Sequence, residues 1–526
     1  MRLPSLLAFL ALTCTSSVAL AGGAKSARYA KDGDGIFWFM HVSDIHVSGP
    51  SGTAVDRLTK TLGEVAGVIH PKFVVASGDL VDGSIFEVPT SGQSPDEWSS
   101  YEAICAKTGM TPSTYYDLPG NHDTYADQGL SNYLSHSVQG KATGKLWVDW
   151  TVSTSLGEYY FFGANSAGTF GKPFTWGSPA FSEEQIADLQ AGVAAHANAE
   201  LVFVVGHHPL DPYQPIDWQD QLGLTGKDPL PENTDQVKGV LAAANAYYLH
   251  GHIHETKEYL DAGGQFVVNQ VSGLGKSDSS NIGVVAVDHN AVVYRATDAG
   301  DPWPLVMITA PVDHFVRGGG KTPDDLGYGT TDHPFAYSVC KARKDNPVRA
   351  LVFAAAAPDA VEAAFDDELA IPMHLDAASS VWTAEVDTSG LANGPHWLKV
   401  TATAGGVSRT DTITVFLTEG PCDAWPGSGG AGGQGAAGGG ATGGAGPGVG
   451  GAGGGSATGG ADPGLGGAGP GGGHPSAPAA DAAPAADAGG CSCGVVDGRG
   501  DRFGAAAAAA LALGAMATRR RRSRRA

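Results

Sequence analysis

The chain has 526 residues, of which 77 are glycines crowded toward its C-terminal end, so it exceeds one ordinary domain while much of its length lacks the side chains of a packed core. Its formal charge is −22 although six of the last eight residues are arginine, so the folding part is more acidic than the total and no nucleic-acid partner is expected. The composition predicts one large domain, one small one, and tails.

Arg2, an apolar run over 6–12, and Ala19-Leu20-Ala21 before Gly22 have the layout of a secretory signal peptide, so residues 1–21 read as removed and the protein as exported. Leu12-Thr13-Cys14 offers the alternative of a lipoprotein processing site. After cleavage Cys105, Cys340, Cys422, Cys491 and Cys493 remain, an odd number for an oxidising compartment. Cys340 and Cys422 flank a small domain and are placed to bridge it, whereas Cys105 reads as a buried small apolar residue without a catalytic role.

Residues 35–42 form a nearly continuous apolar run, the pattern of a strand buried on both faces, and end at Asp44-Ile45-His46. Side chains at i and i+2 point the same way, so Asp44 and His46 converge. An amphipathic helix over 54–69 leads to a second buried strand, 72–77, that closes on Gly78-Asp79-Leu80-Val81-Asp82. Gly78 lets the chain turn and leaves Asp79 at the sheet edge, placed to bridge two cations, while Asp82 reads as a support of the loop. A helix over 98–107 and a short strand over 114–117 then precede Gly120-Asn121-His122-Asp123. Asn121 can coordinate a cation without adding charge, which leaves His122 to meet substrate.

Residues 127–181 are loop-rich, with a strand over 158–162; Trp147, Trp150 and Trp176 there read either as ordinary packing or as a lid over the site. Ser182-Glu183-Glu184-Gln185 opens a helix, and the strand 201–205 delivers Gly206-His207-His208-Pro209. A further strand, 246–249, ends in His250-Gly251-His252-Ile253-His254, where His252 and His254 share a side. Five strand ends therefore carry ligand-type residues, the place where open α/β sheets hold their sites. Mixed oxygen and nitrogen donors suit two manganese, iron or zinc ions, divalent or trivalent, rather than calcium.

These blocks resemble the calcineurin-like metallophosphoesterase superfamily over residues 37–297. The resemblance implies that Asp44, His46, Asp79 and His254 hold one metal and that Asp79, Asn121, His207 and His252 hold the other, with His208 the alternative to His207. It also implies that His122 stabilises the phosphoryl oxygens or protonates the leaving oxygen, with Asp123 orienting it. Longer stretches, among them Glu97-Trp98 and the run 304–311, resemble the transmembrane-protein-62-like branch, whose members carry an immunoglobulin-like domain after the phosphoesterase domain.

The expected fold class is thus α/β: a β-sandwich-core metallophosphoesterase domain, mixed sheets flanked by helices, over 35–300, followed by an all-β immunoglobulin-like domain over 304–418. Gly and Ala dominate 426–490, which reads as a disordered tether. Cys491-Ser492-Cys493, a short apolar run and the terminal arginines over 491–526 resemble a myxobacterial-type C-terminal sorting signal; a weak tail anchor is the other reading. The expected protein is an exported, dinuclear-metal phosphoesterase that cleaves a phosphomonoester or phosphodiester with a metal-bound hydroxide. Its partners are a phosphate-ester substrate, sorting machinery and the cell envelope. The rival is a surface-displayed binding protein that uses the phosphoesterase fold as a scaffold.

Overall fold

Strand β1 (Phe37–Val42) divides its side chains by parity: Phe37 and Phe39 enter one core, and Met40 and Val42 enter another. The computed structural model describes residues 27–83, 92–168, 179–212, 230–276, 280–316, 331–334, 336–366 and 368–420. The signal peptide, Trp176, Cys422, the tether and the C-terminal sorting signal expected from the sequence lie outside these residues.

With β2 (Val74–Ala76) and β3 (Tyr115–Asp117), β1 forms a parallel trio. A second sheet contains β4 (Val148–Ser153), β5 (Glu158–Gly163), β6 (Val202–Val205), β7 (Tyr247–His250), β8 (Lys257–Leu260) and β9 (Val267–Gln270), ordered β4-β5-β6-β7-β9-β8. The hairpin β10 (Asn281–Asp288) and β11 (Ala291–Asp298) completes the first sheet as β11-β10-β1-β2-β3. Phe39, Val75, Phe161, Phe203, Leu249 and Val285 fill the space between the two sheets. Helices cover the outer faces. On one side lie Leu58, Leu62, Trp98 and Tyr101, and on the other Ile186, Leu189, Val237 and Leu241.

The helix expected over 54–69 begins at Thr53 and passes through a π turn at Thr61–Val65, which keeps Thr61, Leu62 and Val65 buried. Pro95–Lys107 starts with a capping box between Ser94 and Glu97. Ser182 caps Glu183–Ala195, but Gln185 turns away to bond both backbone groups of Asn165. The helix Thr234–Ala244 and the strands β8 to β11 are elements that sequence reasoning does not assign.

The C-terminal strands are β12 (Leu305–Ala310), β13 (Val339–Cys340), β14 (Asn346–Phe353), β15 (Ala360–Phe365), β16 (Ile371–Pro372), β17 (His374–Asp376), β18 (Val381–Val386), β19 (Gly394–Ala404) and β20 (Val407–Thr418). They form two facing sheets, β12-β14-β18-β17 and β13-β20-β19-β15-β16, over a core that includes Ile308, Val348, Phe365, Leu398 and Val415. The other face of β12 and β14 turns Met307, Leu351 and Phe353 into the same core as Val284, Val293 and Leu62. Buried Arg349 makes a bidentate pair with Asp288, both contacts at 2.9 Å, and donates to the Ala30 carbonyl; Arg295 reaches Asp411 at 3.0 Å. Cys340 is disulfide-bonded, and Cys105 is free and buried, its thiol pushed up by burial.

Of the tryptophans expected as packing or lid, the two among the described residues, Trp147 and Trp150, pack against the core. Trp150 is buried between the sheets, stacked on Tyr116 at 3.9 Å and on Phe161 at 5.2 Å. Trp147 packs against the core beneath the helix Glu183–Ala195 and donates to Asp188.

Candidate metal centre

β1, β2, β3, β6 and β7 run in parallel groups within their sheets, and each carries its ligand-type residues just past its C-terminal end. The segments beyond β1 and β2 continue side by side: Asp44 N–H donates to Gly78 O at 3.0 Å and His46 N–H to Asp79 O at 2.9 Å. His252 N–H donates across the sheets to Asp44 Oδ2 at 2.9 Å, which ties the two strand-end clusters together. Two glycines make that approach possible. A Cβ on Gly120 would lie 2.2 Å from Asp79 Oδ1, and one on Gly251 would lie 1.8 Å from Ser43 Oγ and 2.4 Å from Asp44 Oδ2.

Asp44, His46, Asp79, His252 and His254 all have left-handed backbone, with φ of 49°, 51°, 52°, 68° and 60°. Each such residue costs about 1–3 kcal/mol, so the surrounding hydrogen bonds hold a strained frame whose common feature is that its side chains point to one place.

Two half-sites result. In the first, His254 Nε2 lies 3.1 Å from Asp44 Oδ1, and His46 Nε2 lies 3.9 Å from that same oxygen. In the second, His207 Nε2 lies 3.0 Å from Asn121 Oδ1 and 3.2 Å from His252 Nδ1. Asp79 Oδ2 faces both, at 3.6 Å from His46 Nε2 and 3.3 Å from His207 Nε2. Donor atoms of Asp44, His46 and His254, of Asp44, Asp79 and His207, of His46, Asp79 and His122, and of His207, His208 and His252 lie within 4.8 Å of one another.

The donor set fits cations. His46 is buried yet neither ring nitrogen has a hydrogen-bond partner, and two buried aspartates share one pocket. Buried like charges of this kind are costly unless positive charge compensates them. In the metal-free protein the histidines supply it. Burial disfavours charge on His207, but Asp79 and then Asp44 outweigh it and raise its pKa to about 9. Burial likewise works against ionised Asp44, while His254 and His207 hold its carboxyl well below the usual range. His254 is raised against burial by Asp44.

His122 donates from Nδ1 to the Asp82 carbonyl, its ring edge-on to His46 at 4.5 Å, and burial pulls its pKa down to about 3 despite Asp79 nearby. Asp123 does not orient that ring, contrary to expectation. Its carboxylate accepts from the backbone N–H groups of Leu80 at 3.1 Å, Val81 at 3.1 Å and Gly120 at 2.8 Å, so it braces the loops that carry Asp79 and Asn121. A buried carboxylate following three unpaired amides bonds to them before it can reach a neighbouring ring. The residue that fixes His122 is Asp82, whose carboxylate lies 3.0 Å from Lys276 Nζ and 3.4 Å from His46 Nδ1. Lys276 and the buried Ser166, which accepts from the His207 and His208 amides, are absent from the sequence-derived site; neither lies in a ligand-type block, and only long-range contact reveals them.

Strand-end His, Asp and Asn side chains around one shared carboxylate, on two facing mixed sheets clad by helices, define a metallophosphoesterase-like fold with groups able to hold metal. Residues 37–256 match the family model of the calcineurin-like phosphoesterases. Among curated relatives, the chain is 26% identical over 223 residues to an Arabidopsis thaliana protein described as a metallophosphoesterase, covering 39% of this chain and 30% of the relative. It is 27% identical over 289 residues to transmembrane protein 62 of Mus musculus, covering 53% of this chain and 42% of the relative. The chain thus spans less than half the length of either. A solved 5'-nucleotidase from Candida albicans is similar at 14% identity and a TM-score of 0.30 over 53% of each chain, too loose a likeness to bear on chemistry.

Proposed function

We propose that this protein is an exported hydrolase of phosphomonoesters or phosphodiesters that works with two metal ions. The observation that carries the reading is the single oxygen Asp79 Oδ2, which faces His46 at 3.6 Å and His207 at 3.3 Å and so is common to both half-sites. Asp44, His46, Asp79 and His254 would hold one ion, and Asp79, Asn121, His207 and His252 the other. Such ions supply Lewis-acid polarisation of the phosphoryl oxygens and a water acidified enough to attack at neutral pH.

The protein's own part is placement and proton handling. His122 is held by Asp82 through Nδ1, so the neutral ring presents Nε2 as an acceptor and donates from it only as the imidazolium. An anionic phosphate beside the ring favours that charged form, which can protonate a leaving oxygen. The immunoglobulin-like character of the C-terminal sandwich and delivery to the cell surface through 491–526 belong to the same proposal.

The test is metal content of the purified protein, then hydrolysis of bis- and mono-p-nitrophenyl phosphate with manganese, iron, zinc or calcium, beside Asp79→Asn and His122→Ala. Near two transition metals per chain and collapse of turnover in both variants are expected. A protein without transition metal, or turnover indifferent to Asp79, defeats the reading and favours the scaffold alternative. Export is checked by fractionation with and without 491–526; retention inside the cell in both cases removes that part.

A further inference from the structure

His208 is buried directly beside the second half-site, its ring centroid 4.5 Å from that of His252 and 4.9 Å from that of His207. The sequence leaves His208 as the alternative to His207 for the ligand after this strand. Ser166, fully buried in the loop after β5, decides the matter. Its Oγ accepts the backbone N–H of His207 at 2.9 Å and that of His208 at 3.0 Å. A hydroxyl has two lone pairs and one proton. With both lone pairs taken, the proton goes to the remaining neighbour, His208 Nδ1, at 3.0 Å. Nδ1 is therefore an acceptor, and the neutral ring carries its hydrogen on Nε2.

The ring cannot turn out of this arrangement freely. The His208 carbonyl accepts from Tyr248 Oη at 2.7 Å, and the Ser166 carbonyl accepts from Ala180 N–H at 3.0 Å, so both partners are anchored through the backbone. Binding a cation through Nε2 requires a lone pair there and hence a hydrogen on Nδ1. That hydrogen would face an oxygen that already accepts two amides and would strand the serine proton in a buried site. His207 has the opposite arrangement: its Nδ1 donates to Ser77 O at 2.9 Å, so Nε2, which faces Asn121, Asp79 and His252, is the nitrogen that can give up its hydrogen to a cation.

We infer that His208 is a substrate-binding residue rather than a metal ligand: held by Ser166 as the Nε2–H form, it donates a hydrogen bond to a phosphoryl oxygen of the ester bound at the second half-site. This rests on the phosphoesterase reading and adds to it. The two flanks of the site then differ in kind. His122, beside His46, offers an acceptor when neutral, and His208, beside His252, offers a donor that needs no proton uptake. Ser166 is the positioning residue for that donor.

Inorganic phosphate is the probe, bound to the metal-loaded full chain by calorimetry, with metal content measured on each sample. His208→Ala is expected to keep the wild-type metal content and weaken phosphate about 10- to 100-fold, the loss of one hydrogen bond to a charged group. His208→Gln, which returns an N–H near the Nε2 position, is expected to recover most of that loss. His207→Ala serves as the ligand control and is expected to lose metal. In metal-free protein labelled with 15N at histidine, His208 should show a bare Nδ1 and a protonated Nε2, and Ser166→Ala should give a mixture. Loss of about one metal per chain in His208→Ala, unchanged phosphate affinity in that variant, or a protonated Nδ1 in the wild type each overturns the inference while leaving the dinuclear reading intact. Wild-type protein that binds neither metal nor phosphate sinks both. If His208→Ala does not fold, His208→Gln and Ser166→Ala carry the same comparison.

Discussion

Metal binding at the second half-site should expel a proton from His207. In the metal-free protein burial disfavours the imidazolium, yet Asp79 and Asp44 raise its pKa from 6.5 to about 9. The folded value lies above the ordinary one, so the stabilisation is fully present below pH 6.5 and is lost as pH rises through about 9. The difference corresponds to roughly 3 kcal/mol at ~1.4 kcal/mol per pKa unit, an order of magnitude for one buried group. A cation must displace this proton, so affinity at that half-site should rise about tenfold per pH unit up to pH 9 and be about 100-fold weaker at pH 7 than at pH 9. The assay is calorimetric titration of stripped protein with zinc at pH 6.5 to 9.5 in two buffers of different ionisation enthalpy, which counts released protons. Thermal melts across the same range should show the stripped protein weakening with rising pH while the loaded protein does not. A flat affinity with no proton released between pH 7 and 8 would refute the reasoning, because it would mean that His207 is neutral beside Asp79.

Gly251→Ala forces a Cβ to within 1.8 Å of Ser43 Oγ and 2.4 Å of Asp44 Oδ2; metal content at the first half-site should fall, with a stability loss of about 1–3 kcal/mol, and a variant that keeps both metals and full turnover counts against the packing argument. Trp150→Ala should cost about 3–5 kcal/mol in urea unfolding while kcat/KM of the folded fraction stays at the wild-type value. The reverse pattern would restore Trp150 as a lid.

The strand ends were legible because each is a short apolar run interrupted by a residue type that no core needs, and a parallel sheet brings such ends to one edge. Asp44, Asp79, Asn121, His207 and His252 therefore sit together without any reading of long-range contact. What those side chains do to one another was less legible. The family resemblance implies Asp123 as the residue that orients His122, but three amides of the loops around it take its oxygens first. Ser166 is 41 residues from His207 and carries no motif, so its control of His208 exists only in the folded chain. The left-handed backbone at five candidate ligands is not assigned from the sequence either: aspartate and histidine are among the non-glycine residues enriched there, but most of them adopt ordinary backbone, so the residue type alone does not mark the position. The hairpin of β10 and β11 turns on His289-Asn290, both at positive φ, a signal that Asn in a turn could have given.

The face of β12 and β14 that packs beneath β10 and β11 gives the two halves of the described chain one continuous interior, with Arg349 and Asp288 locked at its centre. A cut near residue 300 would strip Met307, Leu351 and Phe353 from that interior and leave a sticky wound in place of a trimmed enzyme. The same continuity makes the sandwich a handle. Whatever grips its far sheet, whether an antibody fragment, a surface lattice or a bead in an optical trap, also pulls on the mouth formed by the strand ends through this shared core and the Arg349–Asp288 pair.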